Sequence, residues 1–167
     1  MLFKITERNT EELWRHQRLT QAATHYAKTL KIPRPKELDI RLLLSANKKL
    51  VEDNTHGNMR VLRDSYIDGN PHQFKVTIQS GMPWTWTLST FAHEMVHVWQ
   101  YATGMLRVRY YNGSWEDSWD GGAWIKDGSI PYVERPWEIH AKSKENWLLQ
   151  SFFMVEKTGG MRYGVHG

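Results

Sequence analysis

The 167-residue chain contains no cysteine. It therefore has no disulfide framework and no thiolate metal site, so any metal ion must be bound by His, Asp or Glu side chains. No apolar run approaches the length of about 18 residues that a membrane-spanning helix needs. The first residues, Met1 to Glu7, also lack the apolar core of a signal peptide. We therefore expect a cytoplasmic protein whose residues 1–167 form one domain with a sizeable core.

Acidic residues are outnumbered, since 18 Asp and Glu against 22 Lys and Arg give a net charge of +4 and a pI of about 9.3. The basic excess lies in the N-terminal part of the chain, at Arg15, Arg18, Lys28, Lys31, Arg34, Lys36, Lys48 and Lys49. A basic surface of this kind attracts nucleic acid or an acidic partner weakly, although it is more often an ordinary solvated surface. Eight of the nine tryptophans follow residue 83, so the aromatic residues gather in the second half of the chain.

The segment from Phe91 to Gln100 contains the pattern His-Glu-x-x-His. On a helix, His93 and His97 lie on one face, so both imidazoles can reach one metal ion. Zinc suits two neutral imidazoles, and it lowers the pKa of a bound water to about 7. Glu94 lies one position around the helix, where it can accept a proton from that water without occupying a ligand position.

Such a pattern also occurs by chance, so its surroundings matter. Apolar residues recur around it at spacings of three and four, at Leu88, Phe91, Ala92, Met95, Val96 and Trp99. This periodicity predicts a buried helix that begins near Pro83 and ends at Gly104. Two histidines on a buried face would be costly without a partner, which favours metal binding.

The whole chain predicts an α+β fold, with a small, mostly antiparallel sheet packed on three helices. An N-cap at Asn9 to Glu12 begins a helix that ends near Lys31. Strand patterns follow at 38–44, 60–67 and 73–79 and, after the motif helix, at 105–112 and 124–125. Residues 113–122 are predicted to form a glycine- and tryptophan-rich loop near the metal, and the last helix runs from Pro136 to Gly159.

A zinc ion needs a third protein ligand. The metzincin extension would place Gly at position 100 and His at position 103, and it is excluded because the chain has Gln100 and Thr103. Glu138 is our choice, since it lies in the first turn of a helix that must pack on the motif helix, with the small Ala141 on the same face. His140 lies about 160° around that helix, so it cannot face the metal together with Glu138. The other downstream candidates are Asp117, Asp120, Glu134 and Glu145.

The segments from His93 to Gln100 and from Arg135 to Ala141 resemble the gluzincin metallopeptidases, in which a second helix supplies a glutamate ligand. The small size of the chain resembles the minigluzincins and small SprT-like or phage-encoded metallopeptidases, and the likeness covers about residues 73–150. It implies a zincin-like fold with His93, His97 and Glu138 as zinc ligands and Glu94 as general base. It also implies a cleft lined by the strand at 73–79, which could pair with an extended substrate.

Two positions depart from this resemblance. Thermolysin-type gluzincins carry an aspartate four residues after the ligand glutamate, where this chain has Lys142. The hydrogen-bond partner of a ligand histidine is therefore expected from a backbone carbonyl or a loop aspartate. SprT proteins use a third histidine in a His-Gly pair, whereas this chain has Asp120-Gly121-Gly122-Ala123, which argues against a role linked to DNA.

These features together predict a zinc-dependent peptidase that acts on a peptide or protein substrate. Tyr132 and Arg135 are candidates for the second donor that stabilises the oxyanion. Three tryptophans are expected to wall the cleft: Trp115, Trp119 and Trp124. The alternatives are a DNA-associated protease or DNA-binding module, a non-catalytic binding protein whose zinc is structural, and a hydrolase of non-peptide amides.

Overall fold

The computed structural model describes residues 1–6, 13–46, 56–62 and 71–159. Within these ranges the chain forms seven strands and three α-helices. In chain order they are β1 (Leu2–Thr6), α1 (Leu13–Thr29), β2 (Asp39–Ser45), β3 (Gly57–Val61), β4 (Gln73–Gln79), α2 (Trp84–Ala102), β5 (Leu106–Tyr111), β6 (Ser114–Trp119), β7 (Trp124–Lys126) and α3 (Pro136–Lys157). A 3-10 turn, Tyr132–Glu134, precedes α3. The combination of helices and two sheets confirms the predicted α+β class.

Four strands form one mixed sheet in the order β1-β2-β4-β3. β2 pairs in parallel with both β1 and β4, and β3 pairs antiparallel with β4. Alternate side chains of β2 and β4 are buried, and they stand opposite one another in the register, as Ile40 does with Phe74 and Leu42 with Val76. This period of two gives the sheet an apolar face against which the helices pack.

One apolar core joins the larger sheet to all three helices. Tyr26 of α1, Phe91 of α2 and Phe152 of α3 are fully buried, and the Tyr26 ring centroid lies 5.9 Å from each of the other two. Each such aromatic side chain stabilises the fold by about 1.5–3 kcal/mol on burial. The cluster therefore holds α2 and α3 together and fixes the positions of the side chains that meet between them.

β5, β6 and β7 form a second sheet, and it is antiparallel throughout. Asn112 and Gly113 join β5 to β6, and both have positive φ (47° and 79°), as a type I′ hairpin turn requires. The prediction of a loop over 113–122 was therefore wrong for 114–119, which is strand. The Asn-Gly pair between two alternating segments was the signal that could have identified the hairpin.

The predicted strands differ from the structure in two further places, and two predictions lie outside the described residues. β1 was not predicted, and its parallel pairing makes the larger sheet mixed, although three of the five strand pairings in the two sheets are antiparallel. β3 begins at Gly57 instead of near Arg60. The N-cap at Asn9 to Glu12 and residues 63–67 of the predicted strand lie outside the described residues. In the described parts of the chain, no helix has the length and apolar character needed to cross a membrane.

Candidate metal centre

The side chains of His93, His97 and Glu138 come together where α2 meets α3. The Nε2 atoms of the two histidines lie 3.1 Å apart. Oε2 of Glu138 lies 3.2 Å from Nε2 of His93 and 3.3 Å from Nε2 of His97. These three atoms, called the ligand triangle below, could hold a metal ion.

Helix geometry explains how the ligand triangle forms. His93 and His97 lie one turn apart on α2 and project from the same face. Pro136 begins α3, where its missing N–H costs no hydrogen bond, and Glu138 follows in the first turn. Ala141, one turn further along, is fully buried, and its small side chain allows α3 to lie close to α2.

A buried glutamine orients His97. Nε2 of Gln100 donates a hydrogen bond to the backbone oxygen of Trp137 at 2.9 Å. Because only the amide nitrogen can donate, Oε1 of Gln100 faces His97 and accepts a hydrogen bond from its Nδ1 at 2.8 Å. A neutral His97 therefore carries its proton on Nδ1, and the lone pair of Nε2 points into the ligand triangle.

A carboxylate orients His93 in the same way. Nδ1 of His93 donates to Oε2 of Glu145 at 3.0 Å, while Oε1 of Glu145 accepts hydrogen bonds from Nζ of Lys142 at 2.7 Å and Oγ of Ser89 at 3.4 Å. The expected partners were a backbone carbonyl or a loop aspartate, and this expectation was wrong. Gln100 and Glu145 orient the histidines instead, and Lys142 contacts Glu145.

The ligand triangle is a site for positive charge. Two imidazole lone pairs and a carboxylate oxygen converge there. When both histidines are neutral and Glu138 is ionised, none of the three groups donates a hydrogen bond to the others. Without a metal ion a proton can take its place: burial lowers the pKa of His93, but hydrogen bonds to Glu138 and Glu145 outweigh it and raise that pKa to about 9. Burial also opposes ionisation of Glu138, yet the protonated forms of His93 and His97 donate hydrogen bonds to it and hold its pKa well below its usual range.

Glu94 lies beside the ligand triangle and is not part of it. It follows His93 on α2, about 100° around the helix, and its side chain is buried. This burial raises the pKa of Glu94 above its ordinary value. A Cβ atom placed on Gly57 would lie 3.0 Å from Oε1 of Glu94, so the start of β3 passes close to this carboxylate.

The ligand triangle borders a cavity of about 810 Å³, which is within the usual range for small-molecule sites. His93, Glu94 and Glu138 form part of its wall, and the rest comes from the start of β3, the first half of α2, the 3-10 turn and the first turns of α3. β4, the strand at 73–79, was predicted to line this cleft. That prediction was wrong, because no residue of β4 lies in the cavity wall, and pairing with β2 and β3 leaves neither edge of β4 for a substrate.

The remaining candidate ligands lie outside the ligand triangle. His140 stacks on Trp99 with ring centroids 5.5 Å apart and packs against Trp119 at 5.4 Å. Its Nδ1 accepts a hydrogen bond from Nε2 of Gln100 at 3.0 Å. His140 thus supports the residue that orients His97. Three further candidates also lie outside the group: Asp117, Asp120 and Glu134.

The two candidate oxyanion donors differ in position. Tyr132 lines the cavity and forms a hydrogen bond with Glu138; burial and this bond raise the pKa of Tyr132 above its usual value. Arg135 is not among the lining residues, and its Nε donates to the backbone oxygen of Ile130 at 3.2 Å. Tyr132 is therefore the better placed of the two.

The tryptophans predicted to wall the cleft lie elsewhere. Trp115, Trp119 and Trp124 belong to β6 and β7 and do not line the cavity, so this prediction was wrong. Trp86, which the sequence analysis did not single out, does line it. It precedes His93 by two helical turns on the same face of α2, and this spacing was the signal that could have identified it.

Comparisons of the chain with protein-family models, with curated proteins and with solved structures found no match. The function proposed below is therefore supported by the chemistry of the cavity and by the resemblance of its two helical motifs.

Proposed function

We propose that this protein is a zinc-dependent metallopeptidase that hydrolyses peptide bonds with a metal-activated water. The observation that carries the proposal is the ligand triangle of His93, His97 and Glu138, with the non-coordinating Glu94 beside it in an open cavity. Structural zinc sites are normally closed by four protein ligands, whereas catalytic sites have three and keep one position for water or substrate.

Zinc fits these donors better than magnesium or calcium does. A tetrahedral zinc ion with bonds of about 2.0–2.1 Å holds its donor atoms about 3.3 Å apart, and the atoms of the ligand triangle are separated by 3.1–3.3 Å. Two neutral imidazoles and one carboxylate are a donor set of catalytic zinc sites. Magnesium and calcium prefer oxygen donors alone.

The chemistry that zinc supplies when bound is a water of pKa about 7 and a polarised substrate carbonyl. Glu94 would accept a proton from that water and pass it to the leaving amine. Tyr132 could exchange its hydrogen bond to Glu138 for one to the substrate oxygen, and so stabilise the developing negative charge. Gln100 and Glu145 would keep the ligand histidines in the tautomer that coordination needs.

The edge of the larger sheet offers a place for the substrate backbone. β3 is an edge strand, and within the described part of the chain no strand pairs with its outer side. Its first residue, Gly57, lies beside Glu94. An extended peptide that paired with β3 would therefore pass the general base and the ligand triangle.

The proposal is tested by measuring bound zinc and peptide cleavage in the wild type, Glu94→Gln, Glu138→Ala and the control Glu134→Ala. Glu134 is an exposed carboxylate in the turn before α3. Elemental analysis after a mild chelator challenge should find one zinc ion per chain in every form except Glu138→Ala. Cleavage of unfolded casein should persist in the control and fall by about 10²- to 10⁴-fold in Glu94→Gln.

Each departure from this pattern has a distinct meaning. Full zinc retention in Glu138→Ala would remove Glu138 as a ligand. Zinc binding by the wild type without cleavage of any peptide would favour the non-catalytic alternative, and a wild type without zinc would overturn the proposal. Steeply salt-dependent binding to DNA would support the DNA-associated alternative.

A further inference from the structure

Trp86 is an apolar side chain that is exposed inside the cavity. It is 57% exposed, and it lines the cavity together with His56. The two rings form a pair with centroids 5.6 Å apart. Nδ1 of His56 lies 3.3 Å from Oε1 of Gln79, so the imidazole is held in place. Single exposed apolar residues are common on protein surfaces, but an aromatic pair in the wall of a concave site is suited to binding an apolar group.

The distance from this pair to the ligand triangle follows from helix geometry. Trp86 precedes His93 by seven residues on α2, which places it on the same face, about 10 Å closer to the start of the helix. An extended peptide advances about 3.3 Å per residue. A peptide whose scissile bond lies at the ligand triangle would therefore bring a side chain about three residues away to the aromatic pair.

The backbone next to the pair favours a peptide as the occupant. His56 immediately precedes Gly57, the first residue of the edge strand β3. Main-chain pairing along β3 would fix the register of an extended peptide, and alternate side chains would then reach pockets in the cavity wall. A sugar lacks the regularly spaced backbone donors and acceptors that would match the outer edge of β3, which no strand of the described residues covers.

We propose that His56 and Trp86 form a specificity subsite that binds an aromatic or large aliphatic side chain of the substrate, about three residues from the bond that is cut. This inference rests on the proposed peptidase function and adds the substrate preference of the same site. The cavity wall also carries the exposed aliphatic residues Val133 (76%) and Ile139 (56%), which neighbour Tyr132 and Glu138 in the chain.

The test uses the zinc-loaded protein and a synthetic library of ten-residue peptides, with cleavage sites read by mass spectrometry. The wild type should cut preferentially where Trp, Tyr, Phe or Leu occupies one fixed position two to four residues from the bond. For the preferred peptides, Trp86→Ala should lower kcat/KM by about 3- to 30-fold. Trp86→Phe should retain most of the preference, and the loss in Trp86→Ala should be smaller for peptides with alanine at that position.

Trp147→Ala is the matched control, since Trp147 is also about half exposed (51%) on a helix but does not line the cavity. It should leave both the rate and the preference unchanged. His56→Ala removes the other ring without changing α2, and it carries the test if Trp86→Ala does not fold.

Three outcomes would overturn the inference. Cleavage by the wild type with no preferred residue at any position would reject the subsite and leave the proposed peptidase function intact. The same is true if Trp86→Ala, or His56→Ala in its place, keeps the wild-type preference. Failure of the zinc-loaded wild type to cut any peptide would reject the peptidase function, and the subsite with it.

Discussion

Oε1 of Gln100 accepts a hydrogen bond from Nδ1 of His97, three residues earlier on the same helix, at 2.8 Å. The amide keeps this orientation because its nitrogen donates to the backbone oxygen of Trp137, on α3, at 2.9 Å. The packing of α3 thus selects the tautomer of a histidine on α2. α3 therefore contributes more to the candidate metal centre than the ligand Glu138, because its packing also orients a ligand histidine on α2.

Replacing Gln100 with leucine should weaken zinc binding. The acceptor for His97 is lost, so the ring can rotate or change tautomer, and partners of this kind are worth about 10- to 100-fold in metal affinity. The measurement is the zinc dissociation constant from competition with a chromogenic chelator. His140→Phe is the control, because it keeps a ring between Trp99 and Trp119 and removes only the acceptor for the Gln100 nitrogen. Equal losses in the two variants would contradict the role assigned to Gln100.

Glu145→Ala should also weaken zinc binding by about 10- to 100-fold, since Nδ1 of His93 loses its acceptor. Glu145→Gln should lose less, because its amide oxygen can still accept that hydrogen bond. Lys142→Ala should change zinc affinity little, since Nζ of Lys142 contacts Oε1 of Glu145 and His93 contacts Oε2. Zinc titrations of the three variants check this order, and a larger loss in Lys142→Ala than in Glu145→Ala would contradict it.

Gly57→Ala should reduce activity more than it reduces zinc binding. The added Cβ would lie 2.6 Å from Cγ2 of Thr90 and 3.0 Å from Oε1 of Glu94, so the general base or the strand must shift. Overpacking of this kind costs about 1–3 kcal/mol. Adding Thr90→Ser removes the closest methyl group and should restore part of the activity. Steady-state kinetics with zinc content measured in parallel check this, and an unrescued loss of zinc would contradict it.

The pKa of Asp117, on β6, predicts how the stability of the fold depends on pH. Burial, together with the charge of Asp127, raises its pKa from 3.8 to about 6, although Arg135 acts in the opposite direction. The folded chain binds the proton of the Asp117 carboxyl group more tightly than the unfolded chain does. The contribution of this proton to the stability of the fold is therefore complete below pH 3.8 and is lost as the pH rises through about 6.

Asp117→Asn removes that pH-dependent loss. We expect the variant to be more stable than the wild type at pH 8, by about 1 kcal/mol after allowance for solvent screening, and to show no gain at pH 3.5. Thermal melts at the two pH values check this. Asp120→Asn is the control, because Asp120 is exposed and has a φ of 48° that asparagine tolerates. The same shift in Tm at both pH values would contradict the assignment.

Local patterns in the sequence were enough to predict most of the helices and strands. The alternation at 73–79 matches β4 residue for residue, and the apolar spacing around His93 matches α2 to within two residues at its end. The hairpin at Asn112-Gly113 is not predicted in this way because the glycine and tryptophan content of the following segment is typical of a loop, although 114–119 is strand. β1 was missed because a five-residue edge strand carries too few residues to show a period.

The sequence by itself determined the relation between His93 and His97, because helix geometry fixes residues four apart whatever surrounds them. It also placed Glu138 in a first turn after a proline, from which α3 could present a carboxylate. Only the tertiary structure decided which groups orient the two histidines, since Gln100 meets Trp137 across 37 residues and His93 meets Glu145 across 52. Contacts of this range depend on how two helices pack over a shared core, and no local period in a sequence encodes that arrangement.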